Sequence, residues 1–332
     1  MTTPILLSNR ASENEIDLGF RTNCCLTGEA PLDNSFVSYE INGVAGAPVV
    51  AVLGGISASK HVASFPADQR LGWWEDVVGI GRAVDTTTVR VISIDYISSS
   101  PEKPPVTTDD QARALAAALD HAGIERVHSI VGASYGGMVA LAFAAAFPRR
   151  AGRVIAISAA HESDPMSTAL RHLQRRVVEL GSSLGRERDA ISIARGIAIT
   201  SYLTPAYFED RVNRDGELDA RSTEDRIGRY LKASGEKFAD NWTSDRYNSL
   251  SLSLDLHSVR PESITVPTTV IAVSSDRLVP IDQSRELARR LSGPSQLIEL
   301  DSSYGHDAFL GDWQRVAPFI TELVQLDAGA IS

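Results

Sequence analysis

Five consecutive residues, Gly132-Ala133-Ser134-Tyr135-Gly136, spell G-x-S-x-G. A serine hydroxyl is a weak nucleophile at neutral pH and needs a base beside it. The flanks give this pentapeptide its weight. An apolar run, Val127 to Val131, precedes it, and a helical pattern, Tyr135 to Phe147, follows. At a tight strand-to-helix turn the glycines let the backbone crowd while the serine is pushed outward. The start of the helix adds free N–H groups and the positive end of a dipole, which suit a developing oxyanion. The chemistry predicted is acyl transfer through a covalent acyl-serine.

The base must come from one of 7 histidines. His61, His121 and His128 precede Ser134, and His161, His172 and His257 fall in or beside a helical stretch. His306 alone follows the last predicted strand, in the loop Ser-Ser-Tyr-Gly-His-Asp, where a base can reach back to the serine. With the nucleophile on a strand–turn–helix, the expected chain order is serine, acid, histidine. Asp276, in Ser-Ser-Asp-Arg-Leu-Val-Pro, follows the strand Thr269 to Val273 and is the expected partner of His306. Asp301, at the end of the next strand, is the alternative. Two N–H donors must hold the oxyanion. Tyr135 is expected to supply one. Ile56, in Gly54-Gly55-Ile56-Ser57 after the strand Val49 to Leu53, is expected to supply the other, unless those glycines only make a turn.

These residues need a scaffold, and the sequence outlines one. Short apolar runs occur at Val49 to Leu53, Val89 to Ile94, Val127 to Val131, Val154 to Ile157 and Thr269 to Val273, with a weaker one at Leu297 to Leu300. Runs of this length bounded by turn residues fit parallel strands covered on both faces. Helical segments alternate with them at Thr107 to Ala122, Tyr135 to Phe147 and Asp282 to Leu291. Thr108 and Gln111 have capping-box spacing. Phe36, Val37, Tyr39, Ile41 and Val44 suggest a hairpin turning at Asn42-Gly43. Residues 1 to about 30 show no periodicity. The alternation predicts an α/β fold with a mostly parallel, doubly wound sheet. It breaks between 161 and 262, where the pattern is helical and rich in arginine. The predicted layout is a core of residues 30–160 and 263–328 with a helical cap (lid) inserted at 161–262. The plainer alternative is a helical layer on the sheet with no part in specificity.

The chain has 332 residues, with 43% hydrophobic and 22% charged, enough to bury a core. A net charge of −10 argues against a general nucleic-acid partner. The 2 cysteines, Cys24 and Cys25, give no disulfide framework, so the expected compartment is reducing and cytoplasmic. The first residues lack the basic start and apolar run of a signal peptide, and no apolar stretch suits a membrane span. The histidines are not spaced as metal ligands, so no metal is expected.

The chain resembles the homoserine O-acyltransferases of the α/β-hydrolase fold, over about Val37 to Leu310, and looks most like the homoserine O-succinyltransferase branch. The resemblance is carried by Leu53-Gly54-Gly55-Ile56-Ser57-Ala58, the Gly132 to Gly136 motif, Leu173-Gln174-Arg175-Arg176, Ala194-Arg195, Tyr202-Leu203-Thr204-Pro205, Leu254-Asp255-Leu256-His257, Asp276-Arg277-Leu278-Val279-Pro280 and Tyr304-Gly305-His306-Asp307-Ala308-Phe309-Leu310. It implies a ping-pong reaction with coenzyme A as the acyl carrier and no bound cofactor, small-molecule substrates only, and a homodimer formed through the cap. It implies that Arg195 binds the amino-acid carboxylate and Asp307 the ammonium. The alternatives are a surface arginine and a loop cap. A succinyl group carries a terminal carboxylate that an acetyl group lacks, and a buried site should meet it with a cation. Arg171 lies one helical turn before Arg175 and is the expected cation; acetyl-specific members of the family have asparagine near this place. The alternative is a solvated arginine on a basic helix.

The chain departs from its relatives in Tyr96-Ile97-Ser98-Ser99-Ser100 and in Trp242-Thr243-Ser244-Asp245-Arg246-Tyr247. These changes leave the acceptor open between homoserine, serine and another hydroxy amino acid. Two rivals share the motif: a serine esterase or thioesterase, and a ligand-binding relative without activity.

Overall fold

A computed structural model of the chain describes residues 13–17, 36–65, 70–213 and 220–325. Its centre is an 8-stranded sheet. In chain order the strands are β1 (Glu13–Asp17), β2 (Phe36–Gly43), β3 (Val49–Leu53), β4 (Arg90–Ile94), β5 (Ser129–Ala133), β6 (Val154–Ile157), β7 (Thr268–Val273) and β8 (Ser295–Leu300). Across the sheet they run β1-β2-β4-β3-β5-β6-β7-β8. From β4 to β8 all neighbours are parallel, while β1–β2 and β2–β4 are antiparallel. Every residue of β3, β5, β6 and β7 is buried, as expected of strands covered on both faces.

The covering helices are α1 (Thr108–His121), α2 (Tyr135–Ala146), α8 (Ile281–Arg290) and a last helix numbered after it, α9 (Trp313–Val324). Leu115, Leu119, Leu141, Phe143 and Leu287 fill one side of the sheet; Val316, Ile320 and Val324 fill the other with Trp74 and Val77. Strand order reverses between β3 and β5. Side by side in the sheet, they send their following loops into one crevice, the usual ligand position in such sheets.

Between β6 and β7 the described residues form five α-helices: α3 (Pro165–Ser183), α4 (Glu187–Tyr202), α5 (Pro205–Asn213), α6 (Ala220–Ala239) and α7 (Ser244–Asp255). They have a small core of their own, built on Val178, Ile191, Ala194, Ala239 and Tyr247. The two crossings into this layer are stitched together. Val259 N–H donates to the His161 carbonyl at 2.8 Å, and Glu162 bridges Ser258.

Three local expectations need correction. Asn42-Gly43 is no hairpin turn: β2 runs through it, and Asn42 pairs with Val91 and Gly43 with Arg90 of β4. The capping box sits one residue earlier, with Thr107 capping α1 and Asp110 reciprocating. The aperiodic first 30 residues contain β1, whose backbone pairs with β2. Cys24 and Cys25 lie outside the described residues. Among the described residues no helix is long and apolar enough to cross a membrane.

Candidate active site

Ser134 stands between the last residue of β5 and the first of α2, with φ 54° and ψ −120°. Non-glycine residues rarely hold positive φ, and such strain concentrates where a side chain must be presented. The turn survives because Gly132 and Gly136, two residues to either side, lack side chains. A Cβ on Gly136 would collide with the Leu53 carbonyl, and one on Gly132 with the backbone of Gly136. Ser134 N–H is anchored to the Ile157 carbonyl at 2.8 Å, and Gly136 N–H to Gly54 at 2.9 Å.

Ser134 Oγ lies 2.7 Å from His306 Nε2, and His306 Nδ1 lies 2.7 Å from Asp276 Oδ2. The other carboxylate oxygen of Asp276 accepts N–H bonds from Leu278 (2.8 Å) and Val279 (3.0 Å). With the carboxylate on Nδ1–H, Nε2 is left as an acceptor for the serine proton. Burial disfavours the imidazolium, but the Asp276 charge and hydrogen bond, helped by Asp307, hold the His306 pKa above its ordinary value. Asp301 is exposed and accepts from Ser274 Oγ at 3.1 Å instead.

Tyr135 is the first residue of α2, so its N–H has no acceptor within the helix. Gly55 faces the nucleophile: a Cβ there would lie 3.9 Å from Ser134 Cβ. Ile56 follows it and lines the same cavity. The loop after β3 and the β5–α2 turn thus lie on two sides of the space above Ser134.

That space is about 1010 Å³ in volume, part of it open to solvent. Ser134, His306, Arg171, Arg195 and Asp307 all line it. Arg195 is not a solvated helix arginine. Its guanidinium carbon sits 5.2 Å from the Tyr202 ring centre and 4.9 Å from that of Phe238, a cation held between two aromatic faces. Burial raises the Asp307 pKa, opposed by the charges of His306 and Arg195. Arg171 is buried rather than solvated. Its Nε donates to Asp255 Oδ1 at 2.6 Å, and its Nη2 donates to Ser163 Oγ.

Three contributors have no place among the expected site residues. Tyr202 lies beside His306, ring centres 5.9 Å apart and tilted by 37°, and its ring faces Arg195. Ser158 takes φ 48° after β6 and lines the cavity. Asp255 links α7 to α3. Tyr202 and Asp255 both stand in stretches that carry the resemblance, which was the available signal. Ser158 gave none. The two departing stretches also meet: Arg246 Nη1 donates to the Tyr96 carbonyl at 3.1 Å, and Ser99 N–H donates to Ser249 Oγ, just beyond the second stretch, at 2.9 Å. Among the described residues no group of three or more His, Cys, Asp or Glu is placed to hold a metal ion.

A parallel sheet with a serine on the β5–α2 turn, and a histidine and aspartate on the loops after β8 and β7, defines an α/β hydrolase. Residues 48–312 match the α/β hydrolase fold family. The chain is 39% identical to the homoserine O-succinyltransferase of Xanthomonas campestris pv. campestris, covering 85% of this chain and 77% of that one. It is 31% identical to the serine O-succinyltransferase of Litchfieldella anticariensis, covering 81% and 86%. The homoserine O-acetyltransferase structure from Bacillus anthracis superposes with TM-score 0.76 at 18% identity, covering 88% and 92%. The chain belongs to the homoserine O-acyltransferase family of α/β hydrolases.

Proposed function

We propose that this chain moves a succinyl group from succinyl-CoA to the hydroxyl of L-homoserine by a ping-pong mechanism. The observation that carries the reading is the meeting of Ser134, His306, Arg171, Arg195 and Asp307 around one cavity. Ser134 Oγ attacks the thioester carbonyl while His306 Nε2 takes its proton. The N–H groups of Tyr135 and Ile56 hold the oxyanion. The tetrahedral species collapses, the C–S bond breaks, and His306 returns the proton to the departing thiolate. Homoserine then binds, with its carboxylate on Arg195 and its ammonium on Asp307. His306 takes its hydroxyl proton, the oxygen attacks the acyl-serine, and the proton ends on Ser134. The likeness to the Xanthomonas homoserine O-succinyltransferase supports succinyl and homoserine together.

The test is thiol release from succinyl-CoA and acetyl-CoA with and without homoserine. Homoserine-dependent release with succinyl-CoA supports the proposal. Release that ignores homoserine points to a thioesterase or to another acceptor. Serine is the next acceptor to supply, since the Litchfieldella relative is named for it. One observation favours acetyl-CoA as donor: Arg171 already has a carboxylate partner in Asp255. Arg171→Asn separates the two donors. It should lower kcat/KM for succinyl-CoA by about 10- to 100-fold, the worth of a charge-assisted contact, and change acetyl-CoA use little. Equal losses for both donors would remove Arg171 from the site.

The reading includes a homodimer in which α3 is the contact. Met166, Leu173 and Leu180 recur at heptad spacing on α3 and are exposed, with Leu184 continuing the stripe. Ile193 of α4 is exposed as well. A patch of this kind suits a second copy of the same helix face. Sedimentation of the purified protein should give the mass of a dimer, and a monomer at micromolar concentration overturns this part.

A further inference from the structure

Asp255 is the last residue of α7. A carboxylate is poorly placed there, because the last turn carries the negative end of the helix dipole and unpaired carbonyls. Its side chain is also only 5% exposed, which adds the cost of lost hydration. What offsets both is α3. Arg171 Nε donates to Asp255 Oδ1 at 2.6 Å, and Arg175 Nη1 lies 2.7 Å from Oδ2. The two arginines are one helical turn apart and a carboxylate has two oxygens, so a single Asp255 holds both. Arg175 is tied further to α7, donating to Ser251 Oγ at 2.9 Å. Arg171 has spent Nε on Asp255 and Nη2 on Ser163, which leaves Nη1 without a hydrogen bond among the described residues. The cluster joins two cations and one anion, so one positive charge is left over. Arg171 is the member that lines the cavity.

We infer that Asp255 is a positioning residue that sets donor selectivity: it fixes the Arg171 guanidinium by its Nε edge and so presents the remaining donor and the leftover charge to a carboxylate on the acyl chain. The inference rests on the assignment of Arg171 to the succinyl carboxylate made above, and it names what makes that arginine selective. A guanidinium already held by one edge loses little freedom when its other edge binds. One free to swing would reach other acceptors or water, and its preference for a carboxylate-bearing donor would fade. Asp255 also keeps the cap interior from holding two uncompensated cations, which is costly in a buried site.

The experiment measures kcat/KM for succinyl-CoA and acetyl-CoA, with homoserine present. The proteins compared are wild type, Asp255→Asn, Asp255→Ala, Arg171→Asn and the double variant Arg171→Asn/Asp255→Ala. Acetyl-CoA lacks the distal carboxylate, so its rate reports the triad, the cap and the fold. Asp255→Ala should lower the succinyl-to-acetyl ratio about tenfold. Asp255→Asn should lower it less, because the amide oxygen still accepts from Nε. In the Arg171→Asn background, Asp255→Ala should change the ratio by less than about twofold, since the group it positions is gone. Equal losses with both donors in Asp255→Ala, while Arg171→Asn still shifts the ratio, overturn the role of Asp255 alone. A ratio that Arg171→Asn leaves unchanged overturns both assignments. If Asp255→Ala does not fold, Asp255→Asn carries the test, and a wild-type ratio there overturns the inference.

Discussion

Ser134→Ala should release no thiol from acyl-CoA above background, a loss of about 10⁴-fold or more. The size follows from the geometry. Ser134 Oγ is the atom 2.7 Å from His306 Nε2, and the turn that carries it holds φ 54° against local preference. Alanine keeps the Cβ and therefore the strain, the Ile157 anchor and the fold. Only the nucleophilic oxygen is removed. Circular dichroism and melting should match wild type, while acid-quenched protein should carry an acyl group in wild type and none in the variant. A variant that still forms an acyl adduct would move the covalent step to another residue. Ser158 supplies another buried hydroxyl in the cavity lining, so the adduct should then be sought there.

The sequence disclosed chain order better than it disclosed contacts. Serine, aspartate and histidine were legible because each follows a strand, and the C-terminal ends of neighbouring strands share one edge of the sheet. Strand periodicity carries that information locally. The Asn42-Gly43 signal was local too, and it misled. A turn dipeptide states what the backbone tolerates, whereas the partner of β2 was decided by β4, far along the chain. The capping box slipped by one because Thr107 and Thr108 both offer hydroxyls, with Asp110 and Gln111 each three residues on. The structure chose Thr107, whose N–H donates to Asp110 Oδ2 at 2.9 Å. Gln111 instead serves the loop after β4, accepting the Ile97 N–H at 3.0 Å. The cap contacts were least legible. Asp255 meets Arg171 only because α7 packs against α3, and no spacing within either helix encodes that. Arg195 was marked by the resemblance alone, and no spacing foretold that Tyr202 and Phe238 would close on it.

Asp276→Asn should lower kcat/KM by about 10⁴-fold, more than a lost charge alone would suggest. The reason lies in the second oxygen. Asp276 Oδ1 accepts two backbone N–H groups, from Leu278 at 2.8 Å and Val279 at 3.0 Å. In the asparagine variant the amide oxygen must take that position, because the amide nitrogen has no lone pair to accept with. The NH₂ group is then turned toward His306 Nδ1, where it donates. Nδ1 becomes an acceptor, the ring proton moves to Nε2, and Nε2 meets Ser134 as a donor. A base in that tautomer cannot take the serine proton. Asp276→Ala leaves Nδ1 free to bind water in either tautomer, so the smaller side chain should be the less harmful one. The pH profile gives a second readout. In wild type His306 must be neutral to act, and Asp276 first offsets and then outweighs the effect of burial, holding its pKa above the ordinary value. Activity should therefore rise with pH through that raised value. Removing the carboxylate leaves burial dominant, so the acidic limb of kcat/KM should move to lower pH in both variants. An acidic limb that stays in place would mean that Asp276 does not set the charge of His306. Equal rates for the asparagine and alanine variants would mean that tautomer control is not what the two backbone N–H groups enforce.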